Sequence, residues 1–199
     1  ALGLAASRSF RNPADGPLGL QAFWRHATHS AALAQALANA IGPRLPFKPG
    51  LAYLAGLLHN FGFLLAGHLF RAEFFLLNRV VAANPQVPVA LIERRVLGVE
   101  HTQIGAWLMQ AWNMPEAVIV SCREHHNEHY TGPCAEYAQL MLCVDHLLRA
   151  HGIGEGNDAE PPPGILTALG LDLDRAQSLT ERLLESREAL DAMARQLAA

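Results

Sequence analysis

Between Pro49 and Phe70 the chain carries no charged side chain, yet His59-Asn60 stands in the middle of that run, within Leu57-Leu58-His59-Asn60-Phe61-Gly62. A run this apolar is expected to be buried. A buried imidazole and amide cost free energy unless they find polar partners. Any fold open to this sequence must therefore bring other polar groups to that point. The run is also long enough to cross a bilayer. His59, Asn60 and His68 argue against a span, because polar side chains are rare inside membranes, and the following segments have the amphipathic pattern of a soluble protein. The expectation is a core segment of a soluble, cytoplasmic domain with no membrane contact.

The rest of the chain supplies candidate partners, all on helical stripes. Residues 1–10 read as the tail of a helix stopped by Asn12-Pro13 and Asp15-Gly16-Pro17. A long helix follows over 18–41, with Phe23, Ala27, Ala31, Ala34, Ala38 and Ile41 on one face and His26 on the adjacent stripe. The apolar run forms a helix over 51–59, with Gly62 and Gly67 bending or breaking it before another helix over 69–83. A short helix spans 88–97, with Glu93-Arg94-Arg95 on a solvated side. In 101–112, His101 begins the stripe continued by Ile104, Gly105, Leu108 and Trp112. Pro115 suits the first turn of the next helix, which ends at the His125-His126 pair. In 134–149, Asp145 shares a stripe with Ala138, Met141, Leu142 and Leu148. Residues 151–164, rich in Gly and Pro, form a loop excursion, and one charged amphipathic helix over 174–197 closes the chain. No strand-like alternation, internal repeat or glycine-rich phosphate loop is present. The fold class is all-α.

At 199 residues and 51% apolar composition the chain is a single domain with a sizeable core. Ala1 in place of an initiator Met is consistent with a fragment of a longer protein. Formal charge is −3 and Lys48 is the single lysine among 15 basic residues, so there is no basic block and nucleic acid is disfavoured as a ligand. Cys122, Cys134 and Cys143 form no Cys-x-x-Cys pair and read as reduced thiols.

Six sites on core faces then stand out: His26, His59-Asn60, His101, His125, His126 and Asp145. Imidazole nitrogen and carboxylate oxygen are the donor set of Zn, Mn or Fe, and several helices can converge on one centre. Taken singly, each His has a simpler reading as a hydrogen-bonded core residue. Taken together, one Asp and five His on shared core faces favour a site. His29, His68, His129, His146 and His151 read as peripheral.

These residues bring a resemblance with them. The chain resembles the HD superfamily of helical metal-dependent phosphohydrolases and, within it, the HDOD (HD-related output) domains of bacterial signalling proteins. The resemblance rests on Phe23-Trp24-Arg25-His26 with Ser30, on Ala55 to Gly62, on Glu100-His101-Thr102-Gln103-Ile104-Gly105-Ala106, on Trp112-Asn113-Met114-Pro115 and on His125-His126, in that order. It implies an HD-like bundle of roughly eight to ten helices over 1–199. It also implies that His26, His59 and Asp145 occupy three of the four metal-ligand positions of catalytic members. His101, His125 and His126 resemble the additional ligands of the HD-GYP branch, which degrades a cyclic dinucleotide. Asn60 stands where the Asp of the doublet belongs, and His129-Tyr130-Thr131-Gly132-Pro133 only approximates a Gly-Tyr-Pro phrase.

A neutral amide neither offsets a dication's charge nor bridges two metals, so the resemblance implies no cofactor or a weakly held divalent metal at a vestigial site. The leading expectation is a non-catalytic signal-transduction output module acting through a protein partner or a neighbouring signalling domain. Phe74, Phe75 and Leu77 are candidates for that interface or for the core. Two alternatives stay open. One is a metal-dependent phosphohydrolase of a nucleotide or cyclic dinucleotide, with Arg25 or Arg123 offsetting phosphate charge. The other is a sensor that binds a metal or a nucleotide without turnover.

Overall fold

The computed structural model describes residues 12–156 and 160–199. The helix expected over 1–10 lies outside the described residues. Helix α1 spans Leu20–Ile41, α2 Pro49–Leu58, α3 Phe61–Leu69, α4 Arg71–Ala83, α5 Val89–Val96 and α6 His101–Ala111. These are followed by α7 Glu116–Glu124, α8 Ala135–Arg149, α9 Pro163–Leu169, α10 Leu173–Leu184 and α11 Arg187–Ala198. Among the described residues there is no strand, and the fold is an all-α bundle as the periodicity predicts.

The apolar run does bury itself, but it bends elsewhere than expected. Pro49–Leu69 has the length and composition to cross a membrane, yet 67% of its most apolar window is buried among other helices. Its break falls at His59-Asn60, between α2 and α3, and a second break falls at Phe70. Gly62 and Gly67 lie inside α3 and break nothing. They are close-approach positions. A Cβ on Gly62 would lie 1.9 Å from the backbone oxygen of His101, and one on Gly67 would lie 2.1 Å from the Asn12 amide. Gly56, a single turn ahead of the doublet, is a third such position, where a Cβ would meet the Ser30 carbonyl at 2.6 Å. The doublet is thus flanked by glycines that let α1 and α6 come up to it at backbone distance.

The core is divided. One cluster holds the C-terminal half of α1, from Leu33 to Ile41, with Ala52 and Ala55 of α2 and most of α8 and α9. The other holds Phe23, Trp24 and Ala27 of α1 with the apolar faces of α3, α4, α6 and α7. Along α1 the change falls at Thr28-His29-Ser30, all three buried. Phe61 anchors the second cluster, edge-on to Phe23 at 5.6 Å and to Trp24 at 5.8 Å. Burying one such ring contributes roughly 1.5–3 kcal/mol.

Other boundaries also differ from expectation. The closing helix is two helices, α10 and α11, separated at Glu185-Ser186, and α9 begins at Pro163 inside the expected loop. Asp172 starts α10 by accepting a hydrogen bond from the Arg175 amide at 2.7 Å, the usual N-terminal capping device. Phe74 and Leu77 are core, whereas Phe75 on the same helix is 55% exposed.

Gly62→Ala drives a methyl group into a backbone carbonyl, and overpacking of this kind costs about 3 kcal/mol or more. Gly105→Ala, across the same helix crossing with 3.3 Å to the nearest atom, is expected to cost clearly less. Urea denaturation of the two variants checks the order.

Candidate metal centre

Helix ends build this site. His59 follows the last residue of α2, and His125 follows the last residue of α7. The final carbonyls of a helix lack intrahelical donors. Each of these imidazoles turns back and supplies one. His59 Nδ1 donates to the Gly56 carbonyl at 2.8 Å, and His125 Nδ1 donates to those of Ser121 and Cys122 at 2.9 and 3.0 Å. At the opposite kind of terminus, His101 opens α6. Its backbone N–H donates to Glu93 Oε1 at 2.9 Å and its Nδ1 donates to Glu93 Oε2 at 2.8 Å.

A carbonyl or an ionised carboxylate only accepts, so in all three rings Nδ1 carries a proton, and in the neutral ring Nε2 is left with its lone pair. Those lone pairs converge. His101 Nε2 lies 3.4 Å from His125 Nε2, and His59 Nε2 lies 3.4 Å from Asp145 Oδ1. The His59 and His125 rings are 5.0 Å apart edge-to-face. Acceptors facing acceptors at such distances repel unless a proton or a cation stands between them.

Two triads can each offer ligand atoms within 4.8 Å of one another: His26, His59 and Asp145, all buried, and His101, His125 and His126, of which His126 is exposed at the rim. The structure thus brings every predicted site residue together. Asn60 joins the first triad. Its Nδ2 donates to His26 Nδ1 at 3.2 Å, which places the His26 proton on Nε2, donated to Asp145 Oδ1 at 3.1 Å. Three buried atoms in this triad have no hydrogen-bond partner among the described residues: His59 Nε2, Asn60 Oδ1 and Asp145 Oδ2. Native interiors leave few such groups. Two oxygens and one imidazole nitrogen, all oriented and all unpaired, fit a divalent cation.

The electrostatics agree. Burial alone would raise the Asp145 carboxyl, but the positive charge His59 carries when protonated and the hydrogen bond from His26 outweigh it and hold Asp145 well below the usual carboxylate range. Burial would lower His26, yet the hydrogen bond and charge of Asp145 raise it. His101 behaves likewise: the buried Glu93 carboxylate overcomes desolvation and raises it. His125 has no carboxylate of its own. Burial, reinforced by His126 and His59, pushes it well below its ordinary value.

Several expectations need correction. Glu93 is fully buried, not solvated. It was legible after all, because Val89, Ile92 and Glu93 are spaced by three and four on α5 and form one buried stripe. His29 is likewise buried rather than peripheral, donating from Nδ1 to the Arg25 carbonyl at 2.8 Å, with Nε2 3.6 Å from Asp191. Arg25 pairs with Asp191 and Arg123 with Glu124. The arginine that does line the site is Arg149. A cavity of about 380 Å³ opens on His125, His126 and Asp145, bordered by Arg149, Glu155 and the residues before α5. A smaller one beside it touches His26, Asn60 and Glu155. Glu155 carries no sequence signal, since a loop brings it here, whereas Arg149 stands four residues after Asp145 and seven after Leu142, on the continuation of that stripe.

Known proteins share this architecture. The HDOD domain family matches residues 1–128. An uncharacterized protein of Treponema pallidum (strain Nichols) is 33% identical over 104 residues, covering 52% of this chain and 20% of its own length. Among solved structures, a protein of Marinobacter aquaeolei VT8 provisionally assigned to signal transduction is similar with a TM-score of 0.91 and 34% identity. That match covers all of this chain and 44% of the other. An HDOD domain protein of unknown function from Geobacter sulfurreducens has a TM-score of 0.77 at 22% identity, covering 98% of this chain and 67% of its own. A provisionally assigned phosphohydrolase from Shewanella amazonensis SB2B has 0.68 at 22%, covering 89% and 64%. The last two carry the fold alone. This chain spans less than half the length of the Treponema and Marinobacter proteins.

The Glu93–His101 pair makes a prediction with a definite sign. A histidine raised by folding stabilises fully below its unfolded pKa of about 6.5, and that contribution is lost as pH rises through the folded value. Glu93→Ala is therefore expected to cost roughly 3–5 kcal/mol near pH 6, as a buried pair broken on one side does. The gap from the parent protein should narrow toward about pH 9. Urea denaturation of metal-free protein at both pH values checks it, and a gap independent of pH would contradict the pairing.

Proposed function

Because this chain belongs to the HDOD domain family, we propose that it is a signal-transduction module whose pocket holds a divalent cation without hydrolysing a phosphate ester. Its output is carried to a protein partner or a neighbouring signalling domain. The observation that supports this reading is the state of Asn60. It is buried in the first triad with its Oδ1 unpartnered and its Nδ2 spent on His26. The residues that would hold the cation are His26, His59, Asn60 and Asp145, with His101, His125 and His126 beside them. The Nε2 lone pairs of His59, His101 and His125 are fixed by Gly56, Glu93, Ser121 and Cys122, in the manner of carboxylate–histidine–metal arrangements elsewhere.

Paired divalent cations supply Lewis acidity and an activated water for phosphoester hydrolysis. A charged carboxylate at position 60 would bridge such a pair, whereas a neutral amide does not. Site charge therefore separates binding from turnover in this chain. The exposed side chains of Leu69 on α3 and of Phe75 and Leu76 on α4 offer apolar surface for a partner.

The cavity favours a second reading. At about 380 Å³ it is within the range of small-molecule sites, roughly 300–1,000 Å³. With Arg149 at its border it suits a nucleotide or cyclic dinucleotide, whose hydrolysis there would make the chain a phosphohydrolase.

Metal analysis of the purified protein, with phosphodiesterase assays under added Mn, Fe and Mg, tests the choice. The expected result is metal uptake with no turnover. Stoichiometric metal with turnover would overturn it in favour of the hydrolase, and no uptake of any of these metals would remove the metal from the account. Asn60→Asp is expected to tighten Mn²⁺ about tenfold or more, the scale on which changes around a metal act.

A further inference from the structure

The loop after α8 approaches the candidate centre from a side that none of the stripe residues occupies. Gly152, Gly154 and Gly156 all have positive φ, at 68°, 101° and 88°. This is backbone that L side chains rarely adopt, and it folds the segment 152–156 into a tight path. Gly154 passes so close to the site that a Cβ there would be 3.2 Å from His26 Nε2. The segment is held at its start by Arg25, which donates to the Gly152 carbonyl at 3.2 Å while its Nε pairs with Asp191 of α11. Ile153 turns inward and is buried in the first core cluster.

Between these glycines stands Glu155. It borders the cavity that opens on His125, His126 and Asp145, and also the one that touches His26 and Asn60. Its Oε1 is buried and has no hydrogen-bond partner among the described residues. A carboxylate oxygen withdrawn from water without a donor is costly, and Glu155 shares the lining of one cavity with Asp145, whose Oδ2 is also unpartnered. The carboxylate therefore borders residues of both triads.

We propose that Glu155 is a ligand of the divalent cation in this pocket, a carboxylate delivered by the 152–156 loop where Asn60 supplies no charge. The proposal rests on the metal-holding reading above and adds to it the residue that completes the donor set. With Asp145 it brings two negative charges to a centre otherwise made of neutral imidazoles and an amide. Charge count is what tunes a hard-cation site.

The test is Mn²⁺ binding to the metal-free full chain, read from the electron paramagnetic resonance of free Mn²⁺, for the parent protein, Glu155→Gln and Glu155→Asp. Co²⁺ electronic absorption at saturation reports ligation directly. Glu155→Gln is expected to weaken Mn²⁺ about tenfold or more and to change the Co²⁺ spectrum. Glu155→Asp, one methylene shorter, should fall between the two. The thermal midpoint of metal-free Glu155→Gln should not fall below the parent's, because an unpaired buried charge is being removed, while its upward shift on adding metal should shrink. Binding by Glu155→Gln within twofold of the parent, with the same Co²⁺ spectrum, overturns the ligand assignment and leaves the metal reading standing. Weaker binding with an unchanged Co²⁺ spectrum also overturns it, since Glu155 would then act through pocket charge alone. Failure of the parent chain to take up Mn²⁺ or Co²⁺ overturns both.

Discussion

Imidazole lone pairs that face one another inside an apolar bundle need something positive between them. His59, His101 and His125 each commit the Nδ1 proton to a fixed oxygen. The Nε2 atoms that remain meet each other and Asp145 at 3.4 Å. This constraint orders much of the rest of the molecule. It explains why Glu93 is buried at the back of His101, why Asp145 stays ionised in a core stripe, and why a glycine loop comes over His26. Protons can meet some of the need, and the raised His26 and His101 do so. A divalent cation meets it with one ion.

Helix ends and glycines supply the precision. Two of the imidazoles cap the C-terminal carbonyls of α2 and α7, so the same hydrogen bond that finishes the helix also sets the tautomer. Gly56 and Gly62 flank the doublet and let α1 and α6 approach at backbone distance. A side chain at either position would push a ligand-bearing helix away by more than a metal–ligand bond tolerates. The division of the core into two apolar clusters follows from the same arrangement, because the polar residues occupy the seam. Within that seam Asn60 is buried and neutral, and in the reading proposed above the difference between a hydrolase and a binding module turns on it.

Much of this was legible in the chain itself. Buried helical stripes interrupted by His26, His101, His125 and Asp145 announce a shared interior, since nothing else repays their desolvation. The amide–imidazole doublet inside an uncharged run announces its centre. The break in that run was harder to place. Glycine suggested bends at 62 and 67, but there it serves close packing, and the chain turns at the polar pair instead. Glu93 was hidden by its neighbours Arg94 and Arg95, which made the short helix look solvated although its spacing to Val89 and Ile92 puts it inward. Glu155 and the split between α10 and α11 depend on tertiary contacts that no local pattern encodes. His29 shows the converse: spacing alone did not separate a buried structural histidine from a peripheral one.

Since one tautomer pattern underlies the whole account, it is the thing to measure. Long-range ¹H–¹⁵N correlation spectra of the histidine rings in metal-free protein near neutral pH distinguish the two neutral forms and the imidazolium directly. The expected result is a protonated Nδ1 with an unprotonated Nε2 for His59 and His125, and a protonated Nε2 for His26. Neutral His59 and His125 rings that carry their proton on Nε2 would turn the lone pairs outward, toward the helix carbonyls, and contradict it.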